Sequence, residues 1–203
     1  MSENNSRQGQ AKLLRTFRKI HRITGALLFV FFFIIAITGL LLAWKKNSNG
    51  LIHPKSHVGT STDLKDWLHL DSLHSLACKA LHESVSADLS LDLDRIDIRQ
   101  DKGMVKFIFK HHYWGIQLDG ATGKLLHIER RRADFIENVH DGSVMDRYLG
   151  TKGEPLKLVY SSIMGIALLI FTITGFWLWY GPKKMRKNKA NLKTPNYNKI
   201  QPD

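Results

Sequence analysis

Two long stretches of the chain contain no charged side chain. Residues 23–44 form a run of 22 uncharged residues and residues 158–182 a run of 25. About 20 apolar residues in a helix cross the ~30 Å hydrocarbon core of a bilayer, and a helix satisfies all of its own backbone groups there. The pattern therefore predicts two transmembrane helices and excludes a fully soluble protein. A cleaved signal peptide is a poorer interpretation of the first run, which is too long and ends in the bulky Leu41-Leu42-Ala43-Trp44.

The segment between the two runs has the pattern of a small α+β domain. Apolar residues recur at helical spacing over 63–86, which predicts one helix. Alternating segments and turn residues then predict an antiparallel meander with strands at 95–99, 104–109, 113–118 and 124–129. Residues 134–149 are expected to form a short amphipathic helix at the membrane surface. The predicted fold class is an α+β membrane protein with two transmembrane helices and this helix-plus-meander domain outside the cytoplasm.

Charge fixes the expected orientation. The chain has 30 Lys+Arg against 18 Asp+Glu, a net charge of +12, yet residues 45–157 contain 17 basic and 16 acidic residues. The excess lies in the basic segments 1–22 and 183–203, so the positive-inside rule places both termini in the cytoplasm and residues 45–157 outside it. No nucleic-acid-binding motif accompanies the basic tails, so nucleic acid is not an expected partner and the lipid bilayer is.

Each uncharged run contains the same three letters. Ile37-Thr38-Gly39 lies near the end of the first run, and Ile173-Thr174-Gly175 near the end of the second. Such an echo is also compatible with the general preference of membrane helices for Gly and for aromatic ends.

These residues resemble those of a known family. The segment Ile20-His21-Arg22-Ile23-Thr24-Gly25 before Ile37-Thr38-Gly39, and Val139-His140-Asp141-Gly142-Ser143 before Ile173-Thr174-Gly175, are similar to the signatures of PepSY-associated transmembrane proteins. The domain between them resembles a PepSY domain, and the resemblance covers roughly residues 15–182. Larger members have four spans; this chain resembles a compact, two-span form, a haem-containing ferric reductase of the bacterial inner membrane. The resemblance implies haem b and reduction of ferric iron or ferric chelates in support of iron uptake.

The histidines of these motifs are the candidate ligands of haem iron. His21 begins the first run, Gly25 follows one turn later, and Gly39 follows after 18 residues, which is five helical turns. Gly25 and Gly39 are therefore expected to let a porphyrin approach, or else to serve helix packing alone. A snorkelling, interfacial side chain is the alternative for His21, and an ordinary surface histidine for His140, whose motif also contains Gly142.

The expected topology requires a second copy of the chain. His21 and His140 are predicted at opposite faces of ~30 Å of hydrocarbon, so they cannot ligate one iron. A homodimer supplies the same histidine twice at each face and four helices to enclose the cofactor. One haem held by a single pair remains the near variant. No dinucleotide motif is present, so a quinol or an unidentified partner protein is the expected electron donor.

Other candidate residues lie in the central domain. His111 and His112 could form part of a ferric substrate surface, but adjacent residues on a strand would point to opposite faces. His74, Cys78 and His82 lie along one helix side and could ligate zinc or copper, although packing is the better interpretation. Arg130-Arg131-Arg132 is expected to face lipid headgroups, with an anionic siderophore as a weaker option.

Three functions remain open from the sequence. The first is the haem-dependent ferric reductase. The second is a non-catalytic membrane module whose outer domain binds or regulates an envelope protein. The third is metal delivery by the outer histidines, without haem.

Overall fold

The computed structural model describes residues 2–193, with side chains for residues 8–187. Part of the predicted basic tail, residues 194–203 with Lys199, therefore lies outside the described residues. The chain divides into two compact units. The first contains the described residues of Met1–Ile34 and Leu158–Asp203, and the second is Ile35–Lys157.

The first unit is a pair of long helices. Helix α1 spans Ser2–Ala43 and helix α5 spans Pro155–Lys193, so both extend beyond the predicted limits of 23–44 and 158–182. Within the unit, Gly25 faces Phe171 and Gly181 faces Leu14, which shows that the two helices run antiparallel. Each contains a segment long and apolar enough to cross a membrane, Gln8–Ala43 and Pro155–Lys187.

The surface of these helices is apolar. Leu27 is 71% exposed and Phe33 and Leu169 are each 64% exposed, and similar side chains follow along both helices. A contiguous apolar surface of this kind is costly in water and inexpensive in hydrocarbon. Lipid is therefore the medium that suits this unit.

The second unit is built on one antiparallel sheet. The strands β1 (Leu93–Arg99), β2 (Met104–Phe109), β3 (Trp114–Asp119) and β4 (Leu125–Arg130) pair in sequence order. Helix α2 (Leu70–Ser84) covers one face, and together they enclose the core Leu73, Ala77, Leu81, Val105, Phe107, Phe109, Ile116 and Leu118. The α+β class and the four-stranded meander are confirmed, with strand limits within two residues of the prediction.

The predicted helix over 63–86 is too long. A 3-10 turn, Leu64–Asp66, comes first, and its N-cap Asp63 accepts a hydrogen bond from the backbone N–H of Lys65. Trp67 is extended at φ −82°, ψ 146°, and its indole donates to the carbonyl of Ser61 at 3.0 Å. The helical spacing of the apolar residues continues across this break, which is why the pattern did not show it.

The predicted surface helix over 134–149 is two helices. Helix α3 spans Arg132–Asp141 and helix α4 spans Ser143–Leu149, and Gly142 between them has φ +82°. A left-handed residue ends an α-helix, and glycine adopts that conformation without a steric penalty.

The second face of the sheet is polar although it is buried. Lys106 pairs with Gln117 across β2 and β3, and Glu129 of β4 lies on the same face. The Glu129 carboxylate accepts hydrogen bonds from Gln117 and, at 3.0 Å, from Arg131, and lies 3.5 Å from the Lys106 ammonium. Burial lowers the pKa of Lys106, although the charge of Glu129 opposes that shift. Arg131 is only 5% exposed, so the expectation that it faces lipid headgroups is wrong.

Candidate functional site

His21 is held by a threonine of helix α5. Its Nδ1 lies 3.0 Å from Oγ1 of Thr174, a residue that is 2% exposed. The Thr174 hydroxyl donates its one hydrogen to the backbone carbonyl of Ile170 at 2.7 Å, as helical threonines commonly do. With its hydrogen given to that carbonyl, the threonine oxygen can accept a hydrogen bond from Nδ1 of His21. In a neutral imidazole this leaves Nε2 unprotonated and able to bind a metal.

Aromatic and glycine contacts complete the His21 site. The imidazole stacks on the ring of Phe171, with centroids 4.0 Å apart and planes 24° apart. A Cβ at Gly175 would lie 3.3 Å from Cε1 of His21, and a Cβ at Gly25 would lie 3.1 Å from the Phe171 ring. Gly25 thus makes room for the ring on which His21 rests, which is the packing role that the sequence left open.

His140 is held in the same way within the second unit. Its Nδ1 lies 2.9 Å from Oγ1 of Thr38, which is 8% exposed and donates to the backbone carbonyl of Ile35 at 3.2 Å. A Cβ at Gly39 would lie 3.4 Å from Cε1 of His140. Gly39, which the helical spacing grouped with His21, therefore contacts the other histidine.

A polar turn positions His140 at the end of α3. The carboxylate of Asp141 accepts a hydrogen bond from the backbone N–H of Ser143 at 2.9 Å and lies 3.0 Å from the Lys157 ammonium. Burial opposes ionisation of Asp141, but these hydrogen bonds outweigh it and lower its pKa. With Gly142 in the left-handed conformation, the turn fixes the direction in which α3 ends.

The repeated I-T-G segments explain the two sites together. Each supplies a threonine that is hydrogen-bonded to Nδ1 of one histidine and a glycine that lies against Cε1 of the same ring. The echo was visible in the sequence, but only its glycines attracted attention. Thr38 and Thr174 were missed because a threonine in an apolar helix has no distinctive spacing of its own.

The donor set fits the proposed cofactor. Haem iron in proteins is commonly held by a neutral histidine whose second nitrogen is hydrogen-bonded, a contact that fixes ring orientation and tautomer. Both His21 and His140 have an Nδ1 that is hydrogen-bonded to a threonine hydroxyl, and His21 lies in an apolar helix pair beside an aromatic ring. The side chains present are thus suited to hold a porphyrin iron.

One family model matches the chain. It is described as the PepSY-associated TM region, and it covers residues 18–199. The chain belongs to this family. No curated protein and no solved structure gives a significant match. Membership and the two candidate spans make this a membrane-associated PepSY protein, and both histidine sites with both I-T-G segments lie inside the matched range.

The predicted substrate histidines are not on a strand. His111 and His112 lie in the turn between β2 and β3, and each contacts the segment that precedes β1. His111 Nε2 is 3.1 Å from the carboxylate of Asp92, and His112 Nε2 donates to the carbonyl of Ser90 at 2.9 Å. The expectation of opposite faces is wrong because the hairpin turn begins at Lys110. Their role at a substrate surface stays a prediction.

The histidines of α2 pack rather than converge. His74 Nε2 lies 3.4 Å from Cys78 Sγ and its ring stacks on Phe107, whereas His82 Nε2 contacts the carbonyl of Leu89 at 3.0 Å. Burial raises the pKa of Cys78. Over residues 8–187, no three His, Cys, Asp or Glu side chains form a group that could hold a metal ion. The packing interpretation of these residues is the one that the contacts favour.

Proposed function

We propose that this PepSY-associated protein is a haem b-dependent reductase of ferric iron or ferric chelates. It would act in the bacterial inner membrane, with both termini in the cytoplasm and the sheet domain in the periplasm. The observation that supports this best is the matched pair of histidine sites, in which the hydroxyls of Thr174 and Thr38 lie within hydrogen-bond distance of Nδ1 of His21 and His140. That arrangement leaves Nε2 of each imidazole to bind iron.

Three kinds of residue would have different roles in binding haem. His21 and His140 would each hold the haem iron through a ring nitrogen, and Thr174 and Thr38 would hold the rings in one orientation and one tautomer. Gly175 and Gly39 let the helix backbone approach each ring. Haem, when bound, supplies one-electron transfer chemistry, and the protein controls ligation, burial and access.

A homodimer follows from the number of ligands. Each site contributes one imidazole per chain, and a low-spin haem takes two axial ligands. A two-fold axis brings the same residue from a second copy, so a pair of His21 and a pair of His140 complete two sites. Equal numbers of haems and chains would support two haems per dimer, and one haem per two chains would support the single-haem variant.

The reaction balances as a one-electron reduction. Each ferric ion takes up one electron and becomes ferrous iron in the periplasm. A quinol in the membrane would release two electrons and two protons and so match two ferric ions. A partner protein is the other possible donor.

The absorption spectrum of the purified membrane protein tests the proposal. We expect a Soret band that is diminished by His21→Ala and by His140→Ala and abolished by the double substitution. His69→Ala is the control, because His69 is exposed and makes no capping hydrogen bond. A colourless wild type that co-purifies with an envelope protein would overturn the proposal in favour of the non-catalytic module. A colourless protein with stoichiometric metal would favour metal delivery.

A further inference from the structure

An open cavity lies on the second unit, beside strand β4. Its volume is about 510 Å³, within the range of small-molecule sites. The loop of residues 49–57 forms one wall, and β4 with the residue pair that follows it forms the other. Five residues with basic or imidazole side chains line it: Lys55, His57, His127, Arg130 and Arg132.

The Lys and Arg side chains of this cavity contact neutral groups. Lys55 donates to the side-chain oxygen of Asn49 at 2.7 Å, and Arg132 donates to the carbonyl of Leu51 at 3.4 Å. The guanidinium of Arg130 lies 5.9 Å from the centre of the Trp114 ring. Within the described part of the chain, none of the three forms an ion pair with a carboxylate.

The one acidic residue in the lining does not neutralise them. Both carboxylate oxygens of Glu129 are already engaged, one by Arg131 and the other by Gln117 and Lys106, and its side chain has no exposed area. The cavity therefore has an uncompensated positive potential, which concentrates anions.

The imidazoles lie on a fixed framework. Gln117 faces His127 across β3 and β4, and its side chain bonds the backbone of the opposite wall at Lys55 and His57. The rings of His57 and His127 are 4.7 Å apart. The two walls are thus tied together through two part-buried hydrogen bonds, which hold the backbone of the loop against the sheet.

We propose that this cavity binds a multivalent small-molecule carboxylate through Lys55, Arg130 and Arg132. Two guanidinium groups suit such a ligand because their planar N–H pairs match the two oxygens of a carboxylate. Identification of the anion as a ferric polycarboxylate chelate, the substrate, rests on the proposed function; binding of the anion itself does not.

The test is binding of gallium(III) citrate, and of citrate alone, to the full-length protein in nanodiscs of neutral lipid. Gallium(III) resembles iron(III) but is not reduced, so calorimetry reports binding alone. We expect saturable binding that the triple substitution Lys55→Gln, Arg130→Gln and Arg132→Gln weakens by about tenfold or more, since charge-assisted hydrogen bonds are the strong ones. The control removes the same charge elsewhere, at the exposed Lys65, Lys79 and Lys124, and is expected to change affinity little.

Several outcomes would overturn the site. The first is that the wild type shows no saturable binding of citrate, and the second is that both triple substitutions weaken the affinity equally. The third is that the protein binds anionic-lipid vesicles but no citrate, which would assign the cavity to a lipid headgroup. The haem spectrum separates this proposal from the function. A colourless protein that binds citrate would support the anion site and contradict the reductase proposal. A haem-loaded protein that does not bind citrate would support the reductase proposal and contradict the anion site.

Discussion

The two histidine sites use the same contacts in different surroundings. His21 lies within a long helix and its ring rests on Phe171, which itself is accommodated by Gly25. His140 ends the ten-residue helix α3 and is positioned by the polar turn at Asp141 and Gly142. Thr174 and Thr38 perform the same task at the two rings.

The comparison separates the contacts that both histidine sites share from those that only one of them has. The threonine on Nδ1 and the glycine against Cε1 occur at both sites, so they define the arrangement. The aromatic stack at His21 and the charged turn at His140 are local solutions to holding a ring in a helix pair and at a helix end. Loss of the threonine contact should therefore weaken either site when it is made there, whereas each local contact matters at one site only.

The largest effect is expected from loss of the shared threonines. Thr174→Val and Thr38→Val preserve shape but remove the acceptor for Nδ1, and loss of such a partner commonly costs about 10–100-fold in metal affinity. We expect that loss in haem retention, measured by transfer to apomyoglobin, at the site of each substitution. Because Phe171 also orients His21, the Thr38 variant should lose more.

Two variants control this experiment. Thr174→Ser and Thr38→Ser restore the hydroxyl and should recover most of the retention. Thr172→Val removes a hydroxyl of the same helix that donates to Leu168 and should leave haem bound. Valine variants that retain haem as well as the wild type would show that the Nδ1 contact has no part in ligation.

A smaller effect is expected at Gly142, which belongs to one site. Alanine at φ +82° costs about 1–2 kcal/mol, because its Cβ approaches the carbonyl oxygen. Gly142→Ala should therefore loosen the turn after His140, with faster amide hydrogen exchange over α3 and α4 and no change over α1. Gly165→Ala is the control, since a Cβ there meets no atom within 4 Å. Equal loosening of the helix pair would argue that the two sites are not held independently.

The glycines that face the rings should differ slightly. A Cβ at Gly175 would lie 3.3 Å from Cε1 of His21, so the ring must shift, whereas the 3.4 Å at Gly39 is close to an ordinary contact. A displaced rotamer costs about 0.5–1.5 kcal/mol. Gly175→Ala should weaken haem retention by about two- to tenfold, and Gly39→Ala by less, as followed by the same transfer assay. The reverse order would mean that Gly39 makes room for something other than His140.

Local sequence patterns were sufficient for the regular elements. The uncharged runs predicted both long helices, and alternation predicted all four strands, because burial of one face imposes those periods directly. The sequence patterns failed at positions where a single residue determines the backbone conformation. Trp67 leaves the helical path to bond Ser61, and Gly142 divides a helix that the apolar spacing made continuous.

The sites depended on contacts that are distant in the chain. His21 and Thr174 are 153 positions apart and His140 and Thr38 are 102, so no local pattern joins them. Arg131 was misjudged for a different reason, because its partners Glu129 and Asp134 are close in the chain but a run of three arginines resembles a solvated surface. The histidines could be proposed from a resemblance, but the groups that orient them could not.

The smallest expected effect is a response to acid at one site. Burial acts to raise the pKa of Asp141. The hydrogen bonds from Ser143 and Lys157 have the opposite and larger effect, so the pKa lies below its usual value of 3.8. Its contribution to stability is therefore complete above about pH 4 and is lost as the pH falls through the folded-state pKa. Since its side chain is 22% exposed and the pair is partly screened, we expect less than about 1 kcal/mol. As the pH falls below about 4, amide hydrogen exchange over α3 should therefore accelerate more than exchange over α1, and Asp141→Asn should remove the difference, because the asparagine oxygen accepts from Ser143 at every pH. Hydrogen exchange at a series of pH values would measure it, and an identical response of wild type and variant would contradict a role for the turn.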